Sequence, residues 1–140
     1  MSDAYSDIVL DHFKNPRNVG IIENPNAHVL VGDSTCGDSM ELFVRVDENA
    51  PVILDVSYLV YGCPGAIATS SIATEMVKGK GFSYCLALTD DDVVEALGDL
   101  PDGKKHCSLM VLVALRAALN RIIDDNRAEV KETPQSTTDR

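Results

Sequence analysis

The sequence predicts an α+β fold, a three-stranded antiparallel sheet packed against several α-helices in a single domain. Three observations predict it. Two stretches, 39–46 and 52–61, alternate apolar and polar residues with the period of a strand. A short turn, Asp47-Glu48-Asn49-Ala50-Pro51, separates them, so the two pair as antiparallel neighbours. Beyond Gly62 the apolar residues recur at helical spacing instead.

The elements follow in order. Tyr5, Ile8, Val9, His12 and Phe13 form one stripe of a short amphipathic helix. Asn15-Pro16-Arg17-Asn18 and Gly20 stop it, since proline and glycine break the hydrogen-bond ladder. Ala27–Val31 reads as a first strand. In the second, Met40, Leu42, Val44 and Val46 face the core, and Glu41, Phe43 and Arg45 face away. The third spans Val52–Tyr61. Ala68, Ile72 and Met76 mark a helix that Gly79 closes at C′. Thr89 and Asp92 have the spacing of a capping box, opening a helix over Asp90–Leu97 that Gly98 ends. A last helix starts near His106-Cys107-Ser108, with Leu112, Leu115, Leu119, Ile122 and Ile123 as its buried stripe. The domain is expected over 1–125, and the polar stretch 126–140 is expected to be a disordered tail.

Composition narrows the function. At 140 residues the chain can bury a core without disulfide staples. A net charge of −10 argues against nucleic acid as a partner and suits a partner with a basic docking patch. No apolar run is long enough to span a membrane, and the opening Met1-Ser2-Asp3-Ala4-Tyr5 lacks the character of a targeting peptide. A cytoplasmic location is expected. In that reducing compartment four cysteines do not make a disulfide framework, and none of them form a Cys-x-x-Cys pair.

Three of the four sit at element boundaries beside residues suited to metal chemistry. Cys36-Gly37-Asp38 lies between the first two strands, Gly62-Cys63-Pro64-Gly65 where the third strand turns into a helix, and His106-Cys107 at the start of the last helix. Helix N-termini favour an anionic sulfur. Thiolates select iron–sulfur clusters, zinc or copper(I) over calcium and magnesium. With Cys36, Cys63 and Cys107 as ligands, the fourth donor falls to Asp38 or His106, each harder and more exchangeable than a thiolate. Such a set suits a cluster made to be released. Cys85, in Phe82-Ser83-Tyr84-Cys85-Leu86, reads as a small buried hydrophobe. His12 and His28 read as structural or exposed.

These motifs, taken in order, resemble the IscU-type scaffold family, which includes the N-terminal domain of NifU. The resemblance runs from about Tyr5 to Asp125. It rests on Tyr5-Ser6-Asp7, His12-Phe13-Lys14-Asn15-Pro16-Arg17-Asn18-Val19-Gly20, Cys36-Gly37-Asp38, Tyr61-Gly62-Cys63, Glu75–Lys80 and Leu100-Pro101 leading to His106-Cys107-Ser108. It implies a scaffold that builds a labile [2Fe–2S] cluster from iron and from sulfur supplied by an IscS/NifS-like cysteine desulfurase, then transfers it to apo-acceptor proteins. Cys36, Cys63 and Cys107 would be ligands, Asp38 the labile fourth ligand, His106 an alternate ligand and Cys107 the first sulfur acceptor. No enzymatic turnover is implied. The same site can hold zinc, so a zinc-binding sulfur acceptor is the alternative. A thiol enzyme with Cys107 as nucleophile and His106 as base is disfavoured, because neighbours at a helix start point apart. Two departures stand out. Pro64-Gly65 replaces the usual small pair, and Pro64 suits the first helical turn. Leu100-Pro101-Asp102-Gly103-Lys104 replaces the family's Leu-Pro-Pro-Val-Lys, which counts against a dedicated Hsp70-type chaperone. Retention of His106 favours the IscU/NifU branch over the zinc-bearing SufU branch.

Overall fold

Alternating apolar residues form β1 (Ala27–Asp33), β2 (Asp38–Val46) and β3 (Ile53–Tyr61), in sheet order β1-β2-β3 with both pairings antiparallel. The computed structural model describes residues 6–33, 37–98 and 107–132, with backbone alone at 33, 64, 107–109 and 126–132. The helices are α1 (Asp7–Lys14), α2 (Pro64–Val77), α3 (Phe82–Ala87), α4 (Asp90–Ala96) and α5 (Cys107–Glu132). Val29, Leu42 and Tyr58 stand in one cross-strand row, and Val31, Met40 and Val60 in the next. Met40, Leu42, Val44 and Tyr58 are fully buried with Leu112, Leu115 and Leu119 of α5. Each such side chain taken out of water stabilises the fold by about 1.5–3 kcal/mol.

Small residues let α2 sink into this core. Ala66, Ala68, Thr69, Ser70, Ser71, Ala73 and Thr74 are all buried. Buried hydroxyls need partners, and for the two threonines backbone carbonyls supply them: Thr69 Oγ1 donates to Ala66 O (3.1 Å) and Thr74 Oγ1 to Ser70 O (2.8 Å). Lys78 caps the helix and Gly79, at φ +82°, leaves it in the left-handed region, as its position predicts. The Thr89/Asp92 capping box is present with both reciprocal bonds.

The structure departs from the sequence reading at four places. Helix α3 was not foreseen; it buries Phe82 and Cys85. Among the described residues of the first predicted stripe, Val9 and His12 are buried while Ile8 and Phe13 remain exposed, and Tyr5 lies outside the described residues. Phe43, on the outer face, is covered because the His28 ring stacks on it across the strands, 4.3 Å between centroids. Helix α5 runs on to Glu132, past the expected boundary at Asn126, and residues 133–140 of the expected tail lie outside the described residues.

The segment following α1 clamps three elements together. His12 Nδ1 lies 2.7 Å from Ser71 Oγ, which also accepts the Arg17 backbone N–H at 2.9 Å. Asn18 Nδ2 donates to Thr74 Oγ1 (3.0 Å), while its backbone carbonyl accepts from Tyr58 N and Gly20 N donates to Tyr58 O. The edge of β3 is thereby covered and α1 fixed on α2. At the other end Ser6 Oγ accepts from Val9 N and donates to Leu97 O, tying α1 to the end of α4.

A serine hydroxyl that accepts from Arg17 N keeps its proton to offer His12 Nδ1, a bond that only a neutral imidazole can accept. Burial, and then the Arg17 charge, hold its pKa below the ordinary 6.5, against the opposite pull of Asp11 and Glu75. The folded protein therefore takes up this proton less readily than the unfolded chain. Stability present above pH 6.5 is lost as the pH falls below it through the folded value. The urea midpoint is expected to drop between about pH 7.5 and about pH 5.5, with His12→Gln flattening that drop. An equal drop in the variant would remove His12 as its cause.

Candidate metal centre

Two chain reversals bring a carboxylate and a thiol together. Gly37, at φ +78°, makes the left-handed turn that leads into β2, a conformation other residues adopt reluctantly. Asp38 is the first residue of β2, and the β2–β3 register sets Ser39 opposite Tyr61. Asp38 therefore falls beside the chain just beyond β3, at Gly62 and Cys63. Cys63 is the N-cap of α2, with an extended backbone, and Pro64 follows at the first helical position, where its missing N–H breaks no helical bond.

The Asp38 side chain is only 7% exposed. The Cys63 thiol donates to Asp38 Oδ2 at 3.2 Å. A carboxyl group taken out of water gains from such a partner. The pair is firmly mounted: Asp38 opens a central strand, and Cys63 caps a helix that buries Ala66, Ala68, Ala73 and Val77 in the core.

Of the five expected site residues, the described structure brings these two into contact. Cys107 is the first residue of α5, as expected of a helix start. Cys36 and His106 lie outside the described residues, as does the segment Leu100-Pro101-Asp102-Gly103-Lys104. Cys85 is fully buried, and burial pushes its thiol up to about 11. It is the structural cysteine that its neighbours suggested. One contributor escaped the sequence reading: Gly62 lies directly against the Asp38 carboxyl group. The only signal for it was a glycine immediately before a cysteine. A soft sulfur and a hard oxygen at hydrogen-bonding distance form a mixed donor pair, able to hold a thiophilic metal while leaving one exchangeable position. Among the described residues, no helix is long and apolar enough to cross a membrane.

The NifU-like N terminal domain family matches residues 4–128. Iron-sulfur cluster assembly scaffold protein IscU 1 of Archaeoglobus fulgidus is 50% identical over 115 residues, which is 82% of this chain and 74% of that protein. Iron-sulfur cluster assembly scaffold protein IscU of Aquifex aeolicus is 47% identical over 119 residues, 85% of this chain and 76% of that protein. Among solved structures, the N-terminal part of a nitrogen-fixing NifU-like protein from Brucella abortus superposes with a TM-score of 0.71 at 18% identity, covering 88% of this chain and 96% of that one. That last likeness is one of fold.

Proposed function

The chain belongs to the NifU-like N-terminal domain family, and from that premise we propose that it is a scaffold on which an iron–sulfur cluster is assembled and from which it is passed to apo-acceptor proteins. The observation that carries this reading is the contact between the buried Asp38 and the half-buried Cys63, a carboxylate and a thiol 3.2 Å apart at a strand–helix corner. Permanent electron-transfer clusters are normally held by four thiolates. A site that offers a carboxylate beside its cysteines is built for a cargo that leaves.

In this reading the cargo is a [2Fe–2S] cluster, held by Cys36, Cys63 and Cys107. Asp38 is the labile fourth donor and His106 the alternate. The sulfur comes from a cysteine desulfurase. The Cys107 thiolate attacks the outer sulfur of the desulfurase persulfide, a Cys107 persulfide forms, and the desulfurase thiolate leaves. Reduction of that sulfur to sulfide takes two electrons from an external donor. The scaffold turns over no substrate of its own. The altered Leu100–Lys104 segment counts against a dedicated Hsp70-type chaperone as a partner.

The test is metal and acid-labile sulfide content, with a visible spectrum, on protein purified without oxygen and again after incubation with iron, cysteine and a desulfurase. Iron and sulfide in matched amounts, removable by an apo-acceptor, are expected. Stoichiometric zinc that iron and desulfurase cannot displace would overturn the proposal in favour of a zinc protein.

A further inference from the structure

Glycine at 62 has no conformational justification. Glycine is indispensable where φ is positive, and among the described residues Gly20, Gly37, Gly79 and Gly98 have such angles; Gly62 does not. What excludes a side chain there is its neighbour. A Cβ built on Gly62 would lie 2.4 Å from Asp38 Cγ, 2.6 Å from Oδ1 and 2.8 Å from Cβ. No backbone atom is among these contacts. The carboxyl group occupies the space where a side chain would stand, with one oxygen towards Gly62 and the other accepting from the Cys63 thiol.

We propose that Gly62 is a positioning residue that seats Asp38, its missing side chain being the recess that holds the carboxylate against Cys63. The proposal rests on the reading of Asp38 and Cys63 as donors to a metal. Any larger residue at 62 must push Asp38 Cγ out by roughly 1 Å, the difference between 2.4 Å and the 3.4 Å where ordinary contact begins. The carboxylate is boxed in, because its residue opens β2 and its side chain is buried. Rotation away from Gly62 carries it off the thiol, and a donor set tolerates about 0.5 Å of misplacement. Gly62 thus acts on the metal solely through Asp38.

The experiment titrates Co²⁺ alone into oxygen-free, reduced protein. It uses the wild type, Gly62→Ala, Asp38→Gly and the double variant, with urea midpoints for all four. Gly62→Ala is expected to bind Co²⁺ roughly 10–100-fold more weakly, the usual cost of losing a group that orients a ligand. Its ligand-field bands should shift to those of Asp38→Gly. Adding Gly62→Ala to Asp38→Gly should change neither affinity, bands nor midpoint, since the clashing side chain is gone. Wild-type affinity and bands in Gly62→Ala would overturn the proposal, as would equal weakening in both backgrounds. Should Gly62→Ala fail to fold, a folded double variant supports the seat and an unfolded one overturns it. Absence of Co²⁺ binding by the wild type would count against the metal-site reading itself. The midpoints would then still decide the seat: they should fall with Gly62→Ala only when the Asp38 side chain is present.

Discussion

Cys63→Ala is expected to remove the chromophore that iron, cysteine and desulfurase generate, while the protein stays folded. The loss should be at least the roughly 10–100-fold in metal affinity that follows removal of a ligand's supporting partner. The fold survives because Cys63 is half-buried at a helix N-cap, and the helix behind it is held by the core rather than by this residue. Cys85→Ala makes the contrast. That thiol is fully buried and donates to Val77 O, so its loss leaves a small cavity and lowers the urea midpoint. The chromophore should persist. Urea denaturation and visible absorbance on the two variants separate the roles, and the reverse pattern would refute the assignment of Cys63.

The division between legible and hidden features follows the range of the forces involved. The Thr89/Asp92 box and the Gly79 terminus were readable because each is satisfied by atoms within a few residues of chain. The strands were readable because burial on one face imposes the period of two. Helix α3 was hidden: Phe82–Ala87 is too short to show a period, and its burial of Phe82 and Cys85 is a tertiary fact. The α1 stripe was overread for the same reason. His12 is drawn inward by Ser71, nearly sixty residues away in sequence, and nothing comparable draws in Ile8 or Phe13.

The cysteine site divides in the same way. Its candidate ligands were named from local company, since Gly37-Asp38 beside Cys36 and Gly62-Cys63-Pro64 announce turns as well as possible donors. The seat of Asp38 could not. It depends on the β2–β3 register, which places residue 38 beside residue 62. The Asn15-Pro16-Arg17-Asn18-Val19-Gly20 motif also acquires a physical meaning. Its backbone pairs with Tyr58, and the Asn18 side chain and Arg17 backbone N–H bond α2, so it braces the helix whose N-cap is Cys63.

With Asp38→Ala the cluster is expected to form and then to leave slowly. Alanine keeps the Cβ and removes a buried carboxylate, so the strand and its start are preserved. In the proposed scheme the three thiolates would remain to hold iron. What would disappear is the weakest donor, an oxygen that a thiophilic metal exchanges readily. Its position would then fall to His106, a nitrogen donor that yields less easily to the incoming thiol of an acceptor. Transfer to an apo-ferredoxin, followed by absorbance under anaerobic conditions, should slow by roughly tenfold or more, on the scale of changes at metal-ligand positions. Asp38→Asn separates charge from shape: it fits the same recess at Gly62 but is a poorer donor, so its transfer rate should resemble that of alanine. Wild-type transfer rates in both variants would remove Asp38 from release, and a rate restored by asparagine alone would make its part steric.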